Sequence, residues 1–192
     1  MNRAKSLAIL MLSLNLSLMA EMKTAYLAGG CFWCTESDME KVPGVTSVIS
    51  GYSGGHVANP TYKEVSSGTT GHVESIKVNY DSDKISYSRL LNSFLKKIDP
   101  TDGEGQFVDR GYQYSPVIFY QNKDEEVEAK KALNKIKEEG KFREINVKLI
   151  PFEKFYVAEE YHQDYYKKHN LKYNYYRYRS GRDQFLEKVW GK

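Results

Sequence analysis

The 192-residue chain has two cysteines, two tryptophans, four histidines and five prolines, and these scarcities close off whole classes of protein. Both cysteines lie in "YLAGGCFWCTES", Tyr26 to Ser37, so no disulfide framework staples the fold. A bridge between Cys31 and Cys34 closes so short a loop that it restricts the unfolded chain very little. A structural zinc site would need two more ligands. His56, His72, His162 and His169 offer no second tight pair of ligand spacing. A c-type haem needs histidine directly after the second cysteine, where Thr35 stands. "LAGGC" faintly resembles a lipoprotein cleavage box, but Glu21 and Lys23 separate it from the apolar run upstream. The net charge of +3 provides no strong basic field. The interleaved Arg and Tyr around Lys172, Arg177, Arg179 and Arg182 could stack on bases, yet that balance argues against a nucleic-acid binder.

The N-terminus is distinctive. Arg3 and Lys5 precede an apolar run from Leu7 to Met19, interrupted by Ser13, Asn15 and Ser17 and followed by Ala20. A short positive head, an apolar stretch of this length and a small residue describe a secretory signal peptide over residues 1–20. The run is too short and too broken for a comfortable membrane span. An exported, periplasmic protein is expected, the alternative being an uncleaved N-terminal anchor that leaves the protein facing outside the cytoplasm. Cleavage would leave 172 residues, and the loss of Arg3 and Lys5 would lower the charge to about +1. Residues 21–192 are read as one domain, with no repeat or linker dividing them, and a monomer without membrane attachment is expected in the mature form.

The pattern predicts a strand at 24–28, a Gly29-Gly30 turn, and a helix from about Cys31 that stops before Pro43-Gly44. Strands follow at 45–52 and 73–80. The second reads V-E-S-I-K-V-N-Y, the alternation of a half-buried strand. Leu90, Leu91, Phe94 and Leu95 share one face of a helix over 86–98. A strand at 115–120, a charged helix at 124–139, a strand at 146–151 and a final helix at 157–169 complete the reading, with the Tyr-rich end as a packed wrap. Several strands succeed one another without a crossover helix. That favours an α+β fold, helices on a mostly antiparallel sheet, with long ordered loops.

Redox or nucleophilic chemistry remains for the thiols. A cysteine at the first turn of a helix, after a Gly-Gly turn, faces unpaired N–H groups and the positive end of the helix dipole. Cys31 is thereby the better nucleophile on position alone. Cys34, one turn on, is placed to resolve an oxidised neighbour, provided that the first turn loosens. Phe32 and Trp33 cannot both face one core and would wall an apolar pocket suited to a methyl or thioether group. Glu74 alternates with Val73 and shares its face with Ile76, a placement consistent with burial. Taken alone, Tyr62 and Tyr114 are two of 16 tyrosines and read as packing. Glu36 reads as a helix-face charge, and His72 and His162 as structural, His72 through a loop-fixing hydrogen bond.

"GGCFWCTE" resembles the signature of the peptide methionine sulfoxide reductases of the A type. "NPTYKEVSSGTTGHVESIKVNYD", "DRGYQYSPVIFY" and "YHQDYY" resemble further blocks of that family, in order, over about residues 24–165. The resemblance implies reduction of methionine sulfoxide, S epimer, in proteins or free. Cys31 would be the attacking thiolate, Glu74 the acid that protonates the sulfoxide oxygen, Tyr62 and Tyr114 the hydroxyls holding that oxygen, and Asp109 an orienting group. Phe32 and Trp33 would cradle the methyl group. No cofactor or metal is implied. Many members resolve the sulfenic acid with a cysteine near the C-terminus, which this chain lacks. A Cys31–Cys34 disulfide, reduced by a thioredoxin-type partner, is expected instead. The competing reading is a thiol–disulfide oxidoreductase of the thioredoxin class. It lacks support, because Trp33 falls inside the cysteine pair and not before it.

Overall fold

The order of elements follows the hydrophobic pattern closely through the first half of the chain. A computed structural model describes residues 21–191; the expected signal segment, residues 1–20, lies outside the described residues. Strand β1 (Met22–Ala28) leads through Gly29-Gly30 into helix α1 (Phe32–Met39), which ends short of Pro43-Gly44. Strand β2 (Val45–Ser53), a loop carrying the short helix α2 (Tyr62–Ser66), strand β3 (Val73–Asp81) and helix α3 (Tyr87–Leu95) follow. A two-stranded ribbon, β4 (Gly105–Gln106) and β5 (Asp109–Arg110), precedes a 3-10 turn at Tyr112–Tyr114. Then come β6 (Val117–Tyr120), helix α4 (Lys123–Glu138), β7 (Lys148–Pro151) and β8 (Phe155–Val157). The C-terminal region holds a 3-10 turn at Glu160–His162 and helices α5 (Tyr165–Lys168), α6 (Asn170–Arg179) and α7 (Arg182–Trp190).

The six-stranded sheet runs β7-β6-β1-β3-β2-β8 and is antiparallel except between β6 and β7, which α4 connects. The fold is therefore a mixed α+β arrangement with a mostly antiparallel sheet. Helix α1 packs on β2 and β3, α3 against α4, and α4 against β6. On α3, Ser86 caps the N-terminus by accepting the N–H of Arg89, and Leu90, Leu91, Phe94 and Leu95 are all fully buried. Each such burial contributes about 1.5–3 kcal/mol. Helix α4 starts on an Asn122 cap, carries three acidic residues in its first turn and Lys135 and Lys137 in its last, as the helix dipole favours. Among the described residues no helix is long and apolar enough to cross a membrane.

Two expectations need correction. Strand β3 is not half-buried at its start. Val73 to Ile76 are buried on both faces, Val73 with Ala28, Val117 and Phe119, and Ile76 in the main core. The final helix at 157–169 is broken. Val157 ends β8, and Asp164 adopts a left-handed φ of +54° before α5 begins. The break has a cause. Gln163 acts as a strand extension, accepting the Ser50 N–H at 2.9 Å and donating to the carbonyls of Ser50 and Ala158, both at 2.9 Å. Those bonds outweigh helical continuity at this point.

Candidate active site

The turn before the cysteines is glycine because other chain segments cross it. A side chain on Gly30, whose φ is +79°, would lie 2.5 Å from Cβ of Gln106, and one on Gly29 would lie 2.8 Å from Ile98. Over this turn lies Arg182, 1% exposed, donating to the carbonyls of Gly29 at 2.9 Å and Lys97 at 2.7 Å, with its guanidinium 4.6 Å from the Phe107 ring. Cys31 is the N-cap of α1. Its carbonyl accepts the N–H groups of Cys34 at 3.1 Å and Thr35 at 3.2 Å, fixing the first turn. Both cysteines are free and buried, close enough that each shifts the other's pKa, Cys31 upward and Cys34 downward.

Glu74 enters this site from β3, where it pairs with Tyr52 of β2. It is 3% exposed, and its carboxylate accepts the N–H of Phe32 at 2.9 Å. Burial lifts its pKa to about 8; the Phe32 bond opposes the rise and Asp109 adds to it. At neutral pH this carboxyl mostly keeps a proton that it can donate.

Tyr62 opens α2 behind a capping box: Thr61 accepts the Glu64 N–H and Glu64 accepts the Thr61 N–H at 2.8 Å. Glu159 accepts the Tyr62 N–H and the Tyr52 hydroxyl, each at 2.8 Å, so it ties α2 to β2. Tyr114 ends the 3-10 turn, and Gln113 beside it donates to the Ser66 carbonyl. The hydroxyls of Tyr62 and Tyr114 lie near one another and near Glu74, and burial there pushes Tyr62 up to about 12 and Tyr114 higher still. Both therefore stay protonated donors. Asp109 on β5 accepts the Tyr176 hydroxyl, and burial raises its pKa. His72 fixes the intervening loop, accepting the Gly55 N–H at 3.0 Å and donating to the Val57 carbonyl at 2.7 Å.

The structure thus brings Cys31, Cys34, Glu74, Tyr62, Tyr114 and Asp109 to one place, with Phe32 and Trp33 beside them. Phe32 is buried against Tyr52, Tyr62 and His162. Trp33 stacks on Tyr165, ring centroids 3.7 Å apart, meets Tyr176 edge-on, and donates its indole N–H to Nδ1 of His162 at 3.1 Å. Two expectations change. Glu36 is not a surface charge. It is 1% exposed, accepts the Asp164 N–H at 3.1 Å and the Ser50 hydroxyl at 3.3 Å, and burial raises its pKa to about 7. Cys31 does not have the lowered pKa that its helix position favours: burial, the contact with Cys34, and the carboxyls of Glu74 and Asp109 raise it, whereas Cys34 is lowered by the contact with Cys31 and by Arg182 and Arg177. Magnitudes explain the outcome. Full burial moves a pKa by up to about 3–5 units, and a helix terminus supplies only about 0.3–1 kcal/mol.

Sequence reasoning missed Tyr176, Arg182, Glu159 and Gln163. Only Gln163 carried a sequence signal, the His-Gln pair inside the "YHQDYY" block. Among the described residues, one group of carboxylates, Glu36, Glu40 and Asp164, has ligand atoms within 4.8 Å of one another. Lys167, Tyr166, Ser50 and the Asp164 N–H already engage oxygens of all three carboxylates.

A buried thiol pair at a helix start, facing a carboxyl that holds a proton near neutrality, defines a centre for thiol redox chemistry. The sequence profile of the peptide methionine sulfoxide reductases matches residues 23–192, and the chain belongs to that family, in its A type. It is 57% identical over 173 residues to the peptide methionine sulfoxide reductase MsrA/MsrB of Vibrio cholerae, a match that covers 90% of this chain and 46% of that protein. The chain thus spans about half the length of that relative. It is 46% identical over 168 residues to MsrA 2 of Staphylococcus aureus, covering 87% of this chain and 95% of the other. Among solved structures it resembles methionine sulfoxide reductase A of Corynebacterium diphtheriae, 30% identical, TM-score 0.69, covering 78% of this chain and 76% of that one. It also resembles reduced Mxr1 of Saccharomyces cerevisiae, 30% identical, TM-score 0.73, covering 78% and 86%.

Proposed function

We propose that the chain reduces methionine sulfoxide, in proteins or free, with the S epimer as substrate. The observation that carries this reading is Glu74: a carboxyl buried beside Cys31 with a pKa of about 8, held on the N–H of Phe32. A sulfoxide oxygen leaves only when it is protonated, and Glu74 supplies that proton as Cys31 sulfur attacks. Tyr62 and Tyr114 donate hydrogen bonds to the oxygen, Asp109 orients the site, and Phe32 and Trp33 enclose the methyl group. Cys31 sulfur bonds to the sulfoxide sulfur as the oxygen is protonated; the hydroxyl then passes to the Cys31 sulfur while the S–O and S–S bonds break, methionine leaves with the electron pair, and Cys31 becomes a sulfenic acid. The proton of the Cys31 thiol restores Glu74, so the count closes. This route suits a thiol whose resting pKa is raised, because its proton is handed on within the site during attack.

Cys34 then attacks the sulfenic sulfur, water leaves, and a Cys31–Cys34 disulfide forms. An external dithiol of the thioredoxin type returns both thiols. No prosthetic group takes part. The pKa of Cys34, lowered first by its contact with Cys31 and then by the charges of Arg182 and Arg177, supports its role as the second nucleophile.

Residues 21–192 form one domain; the β6-β1-β3-β2 order with α1 and α3 as connecting helices supports a two-layer, ferredoxin-like core. Residues 1–20 act as a signal for export to the periplasm, and the mature chain works as a monomer.

The test is reduction of the two separated epimers of a blocked methionine sulfoxide by wild type, Cys31→Ser and Glu74→Ala. Only the S epimer is consumed by wild type, and neither variant sustains the reaction. Retained activity in the Cys31 variant would sink the mechanism.

A further inference from the structure

The pocket wall itself needs an anchor. Trp33 is only partly buried, and an indole on the first turn of a helix has several rotamers open to it. Stacking on Tyr165 sets the plane of the ring, since the two rings lie within 6° of parallel, but it leaves the ring free to slide. One directional contact removes that freedom, the bond from the indole N–H to Nδ1 of His162 at 3.1 Å. Because Nδ1 accepts, the neutral ring carries its proton on Nε2. That nitrogen is buried and has no partner among the described residues. His162 itself is 2% exposed, held by Phe32 at 4.9 Å, Tyr62 at 4.4 Å and Tyr161 at 4.2 Å between ring centroids. An imidazole touching both Phe32 and Trp33, with one nitrogen left unsatisfied so that the other can accept, is costly for packing alone.

We infer that His162 is a positioning residue for substrate binding: by accepting the indole N–H at Nδ1 it locks Trp33 in the orientation that walls the methyl side of the pocket. The inference rests on the reading of Phe32 and Trp33 as that wall. It implies that the neutral ring is the working form, since a doubly protonated imidazole has no lone pair to offer. The groups that bear on its charge are Glu159, just before it in the chain, Tyr161 beside it, and Tyr62 from α2; Phe32 and Trp33 of α1 are uncharged. Burial lowers the pKa of His162 and Glu159 opposes that fall. The lock therefore holds at neutral pH and releases as acid protonates the ring.

Two tryptophans make the test direct, since the indole N–H resonances of Trp33 and Trp190 are assigned with one Trp33→Phe spectrum. In the full chain, His162→Ala should move the Trp33 indole resonance, raise KM for a blocked methionine sulfoxide about 10-fold, the worth of one hydrogen bond, and lower kcat less than about 3-fold. His162→Asn, whose Oδ1 stands where Nδ1 stood, should restore the resonance and most of KM. In wild type the same resonance should titrate below pH 6.5, the ordinary histidine value, while that of Trp190 stays still. This titration needs no variant, so it decides the matter even if His162→Ala does not fold. A Trp33 resonance that ignores both pH and His162→Ala would overturn the inference. A resonance that moves while KM stays constant would leave the hydrogen bond standing, overturn its role in binding, and remove Trp33 from the pocket wall; loss of activity in Cys31→Ser would be untouched by either result.

Discussion

Cys31 and Cys34 are one helical turn apart, yet they face opposite electrostatic surroundings. On the Cys31 side lie Glu74, buried, and Asp109, part-buried, both carboxyls with raised pKa values, and the hydroxyls of Tyr62 and Tyr114. On the Cys34 side lie Arg177, bound to Asp38 at 2.9 Å, and Arg182, clamped over the Gly29 carbonyl. Burial is nearly equal, so the thiols are separated first by their contact with one another, which raises Cys31 and lowers Cys34, and then by the neighbouring charges. One side is arranged to keep protons and deliver one to a leaving oxygen. The other is arranged to stabilise a sulfur anion. The difference teaches that a C-x-x-C pair can hold two unlike reagents, and that the C-terminal helices, through Arg182 and Arg177, add to the lowering of Cys34 that its contact with Cys31 begins.

The largest expected effect breaks this comparison outright. Cys31→Ser should abolish sulfoxide reduction to the detection limit, while Cys34→Ser should complete one turnover at close to the wild-type rate and then stall with thioredoxin-type reductants. Rapid-quench assays of methionine formed per enzyme distinguish the two. Equal multiple turnover by Cys34→Ser would remove that residue from recycling. Next in size, Glu74→Gln keeps the Phe32 contact but removes the proton. It should slow the first turnover about 10²–10⁴-fold, the usual worth of a positioned acid, without slowing disulfide formation from a sulfenic acid generated by peroxide.

Proton bookkeeping sharpens the contrast. The usable form of Glu74 is the acid, and with a pKa of about 8 it is lost as pH rises through 8. Single-turnover reduction should therefore fall about tenfold per pH unit above 8, and Glu74→Gln should lack that limb. The disulfide-forming step depends on ionised Cys34 and should not decline over the same range.

How much of this was legible in the sequence follows from where the causes lie. Cys31, Phe32, Trp33 and the Gly-Gly turn are neighbours in the chain, so their placement could be read locally. The side of β3 that Glu74 occupies could also be read, since two-residue alternation survives even where both faces of the strand are buried. Its raised pKa could not, because it comes from burial under parts of the chain far from it in sequence, with Asp109, 35 residues away, adding to the rise. Asp109 in turn is held by Tyr176, 67 residues further on, and no local pattern links them. The helix expected at 157–169 failed for the same reason. Its breaking point at Asp164 is set by Gln163 reaching Ser50 and by Glu36 accepting the Asp164 N–H. Glu36 looked like a solvated charge because its partners lie on β2 and beyond β8.

The smallest expected effect concerns that residue. Its pKa of about 7 in the folded chain lies above the ordinary carboxylate value, so the wild type loses stability as pH rises from about 4.5 to about 7. Glu36→Gln removes the titration while keeping an acceptor for the Asp164 N–H. Relative to wild type it should gain about 1–2 kcal/mol between pH 5 and pH 8, after allowance for partial solvent screening. Thermal melts of both proteins across that range check the sign; a gap that narrows with rising pH would contradict it.

The central claim is that the sulfoxide oxygen passes to Cys31 under protonation by Glu74. Single-turnover reduction of the S epimer by Cys34→Ser tests it most directly, with sulfenic acid at Cys31 and methionine released counted together from pH 6 to pH 10. The account predicts one sulfenic acid at Cys31 for each methionine, with a rate that falls above pH 8. Methionine formed without sulfenic acid at Cys31, or a rate that climbs steadily to pH 10, would contradict it.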